Sequence, residues 1–111
     1  MAASHVWARA EDRSEALARC SRLLTQEGFR VAVPGTTWNP PTPDLIASRG
    51  RRTVRVVVLS MEEVDETAAR RRVHDLVRTG ETRVYVPWPL RWRFLSNLDR
   101  WRLRGVAVVG W

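Results

Sequence analysis

Apolar residues recur at two spacings along the chain, and the change from one to the other marks its elements. From about Glu11 to Glu27, Ala16, Leu17, Cys20, Leu23 and Leu24 fall three and four residues apart, the spacing of an amphipathic helix, and Gly28 supplies its stop. Phe29 to Val33 then alternates Phe, Val and Val against Arg and Ala, as a half-buried strand does, until Pro34-Gly35 interrupts it. Leu45-Ile46-Ala47 and Thr53–Leu59 are two apolar runs joined by Ser48-Arg49-Gly50-Arg51-Arg52, the pattern of a β-hairpin. Val54, Val56, Val57 and Val58 leave the second run no polar face, which predicts a central strand buried on both sides.

Ser60-Met61-Glu62-Glu63 fits the capping box S-x-x-E, with Ser60 as N-cap of a helix reaching about Arg78. Met61, Val64, Ala68, Val73, Leu76 and Val77 are its predicted inward positions. Arg83 to Val86 reads as a further strand, closed by Pro87-Trp88-Pro89. A third helix, Leu90 to about Leu103, turns Phe94, Leu95, Leu98 and Trp101 inward, and Val106 to Val109 forms a last strand after Gly105. The predicted order is α-β-β-β-α-β-α-β: an α/β domain over residues 11–111, after a lead-in at 1–10, with a single mixed sheet flanked by helices on both faces.

Charge changes the picture. The formal net charge of the 111 residues is +7, and all 19 basic residues are Arg, with no Lys. Two explanations stand side by side: a composition bias, or a surface for polyanions, since a guanidinium offers phosphate a fork of donors and stacks on bases. The lone Cys20 excludes an intrachain disulfide and sits at core spacing. No apolar stretch approaches a membrane span and no signal-peptide pattern is present, so a cytoplasmic protein without a membrane partner is expected.

Three residue groups carry candidate chemistry for nucleic acid. Arg49, Arg51 and Arg52 form the hairpin turn; Arg70-Arg71-Arg72 lies in the second helix; Arg93, Asn97, Arg100 and Arg104 form one polar stripe on the third. Trp88 and Trp92 neighbour that stripe and offer rings to unpaired bases. Neither His5 nor His74 belongs to a metal-ligand or triad spacing, and both are expected at the surface.

The element order, Gly28-Phe29 after the first helix, and Pro43-Asp44-Leu45-Ile46-Ala47 ahead of a Gly turn and a hydrophobic strand resemble the PD-(D/E)xK nuclease superfamily. Its smaller members include Holliday-junction resolvases and other restriction-endonuclease-like domains. The resemblance covers about residues 11–88. It implies an Asp at one hairpin strand and an acid on the next that bind Mg²⁺, with a Lys two residues on orienting the attacking water. Asp44 matches the first position, but the other two fall at or near Val57 and Leu59, which are apolar. The implied function is therefore a catalytically degenerate nuclease-like domain, with no cofactor, that binds nucleic acid or serves as a non-catalytic partner in a nucleic-acid-processing complex.

Two alternatives stay open. In the first, a rearranged site of Asp44 with Glu62 or Glu63, and Glu15 as a further ligand, holds Mg²⁺ or Mn²⁺ and cuts DNA. In the second, the basic surface docks a partner protein. A homodimer through the last strand, or through Trp92 and Trp101, is compatible with each of these readings. The segment from Thr53 onward also suits a flavodoxin-like or Toprim-like sheet, though without the acidic strand ends either would use.

Overall fold

A computed structural model describes residues 10–34 and 42–111. Helix α1 (Ala10–Gln26) follows the predicted periodicity: Ala16, Cys20 and Leu24 are its fully buried positions. Gly28, at φ +92°, turns the chain out of the helix, and the Phe29 N–H closes back on the Leu24 carbonyl at 3.1 Å. The remaining elements are β1 (Arg30–Ala32), β2 (Leu45–Arg49), β3 (Arg52–Val58), α2 (Thr67–Val77), β4 (Thr82–Val86), α3 (Arg91–Trp101) and β5 (Val106–Gly110). The order is the one expected from the sequence.

The five strands form one mixed sheet in the order β1-β2-β3-β4-β5. The pairs β1–β2 and β2–β3 are antiparallel, whereas β3–β4 and β4–β5 are parallel because α2 and α3 carry the chain back between them. The continuous apolar run of β3 now has its reason. Val54, Val56 and Val58 pack under α1 with Ala16, Cys20, Leu24 and Tyr85, while Val57 and Leu59 pack on the other face with Val73, Leu76, Phe94 and Leu98. Burying Phe94 fully contributes roughly 2–3 kcal/mol by area alone, and its ring meets Trp101 edge-on at 6.0 Å.

Four local expectations are corrected. The β1 alternation stops at Val31, since Val33 lies beyond the paired residues and is 72% exposed. Ser60 does not cap α2. The Ser60 N–H donates to Glu63 Oε1 at 2.8 Å, as a capping box requires, but this closes a short 3₁₀ turn, Glu63–Asp65. Glu66, extended at ψ 144°, then interrupts the helical phase, and α2 restarts at Thr67. That phase break turns Ala69 inward instead of Ala68 and leaves Met61 exposed. A second 3₁₀ turn, Trp88–Leu90, likewise delays α3 to Arg91.

No helix among the described residues is long and apolar enough to cross a membrane. The expectation for His5 falls outside the described residues.

Candidate functional site

Asp44 stands immediately before β2, and its N–H donates to the Val56 carbonyl at 2.8 Å. The side chain is buried between two layers. Oδ1 accepts from Arg13 Nη2 of α1 at 2.8 Å and from Arg72 Nη2 of α2 at 2.9 Å, and Oδ2 accepts from the Val58 N–H at 2.7 Å. Arg72 Nη2 also reaches the Thr42 carbonyl at 2.9 Å. One carboxylate thus ties α1, α2, β3 and the start of β2 together. Both of its oxygens are taken by cationic or amide donors.

The neighbouring acids do not complete a cation site. Glu63 lies within electrostatic reach of Asp44; burial first, and Asp44 after it, push its pKa above the ordinary value. Its Oε1 is spent on the Ser60 N–H, while Glu62 and Glu15 are exposed. Val57 and Leu59, at the positions where the nuclease pattern places an acid and a Lys, are fully buried in the α2–α3 core. Among the described residues no group of three or more His, Cys, Asp or Glu side chains is arranged to hold a metal. A hard divalent cation takes six or more oxygen ligands, so this donor set does not fit one as it stands.

Many of the arginines are structural. At the hairpin turn, Arg49 Nη1 donates to the Glu27 carbonyl at 2.7 Å, capping the C-terminal end of α1. Arg52 Nε donates to Glu81 Oε1 at 2.9 Å, which holds Glu81 below its ordinary pKa. Arg83, which the sequence offers only as the start of a strand, is 8% exposed and pairs with Glu27 at 2.9 Å. The guanidiniums of Arg49, Arg52 and Arg83 all lie 4.8–5.5 Å from the centroid of the Phe29 ring.

The stripe expected on α3 is corrected at Asn97. Asn97 is buried, donating to the Val64 carbonyl at 2.9 Å and to Asp65 Oδ1 at 2.8 Å. Arg93 Nε donates to Asp65 at 3.0 Å and Arg100 Nη2 to Asn97 Oδ1 at 2.6 Å. The Asn97 amide first, and Arg93 after it, hold Asp65 below its ordinary pKa. These groups tie α3 to the turn before α2; Asn97 alone leaves the stripe, while Arg93, Arg100 and Arg104 stay exposed.

Exposed cations lie on α2 and the hairpin turn as well. Arg70 and Arg71, with Thr67 and His74, line an open groove of about 280 Å³ on the outer side of α2, and neither arginine makes an ion pair among the described residues. Arg78 continues that side, and Arg51 is similarly exposed at the hairpin turn.

Two tryptophans are exposed as well, Trp88 by 66% and Trp92 by 72%. Trp88 is anchored through its backbone: its N–H donates to the Trp111 carbonyl at 2.9 Å, and its ring lies over Gly110, where a Cβ would come within 2.6 Å of Cε3. Trp92 opens α3, with the Arg91 guanidinium 5.2 Å above its ring. Topology gathers these groups. Arg70 and Arg71 lie in the first half of α2, and Trp88 and Trp92 follow β4, so all stand at the end where β3 and β4 finish. In open parallel sheets that end is the usual ligand side. Compared with family models, curated proteins and solved structures, the chain matches none.

Proposed function

We propose that this is a catalytically degenerate nuclease-like domain, of restriction-endonuclease-like architecture, that binds nucleic acid without cutting it. The observation that carries the reading is the exposed pair Trp88 and Trp92, with Arg91 over the second ring, at the same sheet end as the free Arg70 and Arg71. Exposed rings on a rigid turn and helix start offer stacking platforms, worth about 1–3 kcal/mol per base, and the α2 arginines offer phosphate contacts. Stacking needs unpaired bases, so single-stranded and branched DNA or RNA is the favoured substrate class. The spent carboxylate at Asp44 supports binding without cleavage.

The test is a salt series of binding to single-stranded, branched and duplex oligonucleotides, read by tryptophan fluorescence. Single-stranded and branched forms should bind more tightly than duplex. Trp88→Ala/Trp92→Ala should erase that preference, while Arg70→Ala/Arg71→Ala should weaken all forms and reduce the salt slope by roughly 1–2. Absence of binding at about 50 mM salt would overturn the reading and turn attention to an acidic protein partner. Cleavage in Mg²⁺ or Mn²⁺ that vanishes in Asp44→Ala would instead restore the enzyme alternative.

A further inference from the structure

The sheet ends at β5, and among the described residues no further strand pairs with it. The direction of its unpaired groups follows from its last neighbour. The Trp111 N–H donates to the Val86 carbonyl at 2.8 Å and its carbonyl accepts from the Trp88 N–H at 2.9 Å, so both polar groups of Trp111 turn toward β4. Backbone groups alternate along a strand, so Val109 and Ala107 turn inward too. Val106, Val108 and Gly110 therefore point both N–H and C=O away from the sheet.

Edges of this kind are normally blunted by charge, proline, a bulge or brevity. The opposite edge has such protection: β1 is only three residues long, bears the exposed Arg30, and is followed by Pro34. The β5 residues Val106-Ala107-Val108-Val109-Gly110 include neither a charge nor a proline. Ala107 is exposed, and Val106, Val109, Gly110 and Trp111 are half-buried.

We infer that β5 pairs antiparallel with β5 of a second copy of this chain, about a two-fold axis at Val108. The strand is self-complementary in that register. Val108 meets Val108, and Val106 meets Gly110, so every outward N–H faces an outward C=O. On the α1 side Val109 comes beside Ala107, and Trp111 comes beside Gly105, where no side chain competes for the space. Centring the axis on Val106 or Gly110 would leave outward groups unpaired, and shifting one chain by a single residue would set outward groups against inward ones. The register brings no charged residue into the paired segment.

This pairing is independent of the nucleic-acid reading, and salt separates the two. Two chains of formal charge +7 repel, so salt should strengthen their association while it weakens nucleic-acid binding. The test is sedimentation velocity of the full chain over a concentration series, at low salt and at about 0.5 M salt, where the Debye length falls well below 10 Å. The expected result is a monomer–dimer equilibrium whose dimer fraction rises with salt. Val106→Pro removes one outward N–H that β4 does not use, at the first strand residue, where proline is tolerated. Ala107→Lys, at an exposed position, sets a charge beside Val109 of the other copy. Each should weaken the dimer by about tenfold or more, with the thermal midpoint of the monomer retained. A monomer at every concentration and salt overturns the inference. A dimer that both variants leave intact also overturns it, by placing the contact on another surface such as Trp88 and Trp92.

Discussion

Asp44→Ala is the most informative single change, because the same residue is a metal ligand in one reading and a structural tie in the other. Its loss can be worked from its partners. The Val58 N–H, on a residue 3% exposed, would lose its acceptor in a dry site, at a cost of about 1–2 kcal/mol. Arg72, with its side chain 31% exposed, would lose a charge-assisted bond worth about 1 kcal/mol while keeping the Thr42 carbonyl. Arg13 is 47% exposed, so its share is at most about 0.5 kcal/mol. The sum is about 3 kcal/mol.

For a chain of 111 residues this corresponds to a thermal midpoint lower by roughly 10–15 °C, and to a urea midpoint lower by about 2 M. Asp44→Asn keeps one carbonyl acceptor and should lose about half as much. The assay is urea unfolding of wild type, both variants, Arg72→Ala and the double variant, with a coupling energy of about 1 kcal/mol expected between positions 44 and 72. A carboxylate kept for chemistry behaves otherwise, since removing it commonly leaves a protein as stable or more so. Asp44→Ala at or above wild-type stability would refute the structural assignment and reopen the metal site.

Three further outcomes follow from neighbouring geometry. Asn97→Ala should cost about 2–3 kcal/mol in urea unfolding, since it strands the buried Val64 carbonyl and releases Asp65; wild-type stability would return Asn97 to a solvated stripe. Cys20 is fully buried, and burial, with Asp44 adding to it, pushes its thiol up to about 12. It should therefore resist iodoacetamide at about pH 8 until the chain unfolds, and rapid labelling of native protein would contradict the packed α1 core. Glu63 has a raised pKa, so its contribution to stability is present below its ordinary 4.5 and lost as pH rises through the raised value. Glu63→Gln should accordingly gain on wild type as pH climbs from about 4 to 7; parallel urea midpoints across that range would refute this.

How much of this was legible depends on the range of the interactions involved. Ala16, Cys20 and Leu24 on α1, and the unbroken valines of β3, declare their elements because period and burial are local properties of the chain. The hairpin was equally plain, as its turn carries Gly50 at φ +62° between the two apolar runs. Glu63 did accept from the Ser60 N–H, but the Ser60 hydroxyl is buried without a partner among the described residues and caps nothing; a 3₁₀ turn uses the same signature as an α-helix, and the extended Glu66 behind it left no mark in the pattern. The partners of Asp44 were not legible at all. Arg13 and Arg72 lie 31 and 28 residues away in the chain, and nothing local tells a paired arginine from a solvated one. Asn97 was misplaced for the same reason, since its spacing fits a polar stripe as well as a buried cap on Val64.

The absence of lysine takes on a different meaning once the arginines are seen in place. Asp44 Oδ1 is shared by two guanidiniums, one of which reaches a second carbonyl from the same nitrogen. Three more surround the ring of Phe29 while also bonding Glu27 and Glu81. These sites depend on a planar, weakly hydrated cation with several donors, and an ammonium on a flexible stem supplies none of that geometry. Composition bias and phosphate binding therefore do not exhaust the reasons for an all-arginine chain, because part of the positive charge is consumed in holding the layers together. The part left over includes the exposed Arg70 and Arg71 of α2 and the exposed Arg102 and Arg104 after α3. Arg72→Lys separates the two roles. It keeps the net charge, so nucleic-acid affinity should be unchanged, but its side chain is one bond shorter and does not carry the ammonium to where Arg72 Nη2 meets both Asp44 and Thr42, so stability should fall by about 1 kcal/mol. Equal stability with weaker binding would reverse the assignment and move Arg72 from the frame to the interface.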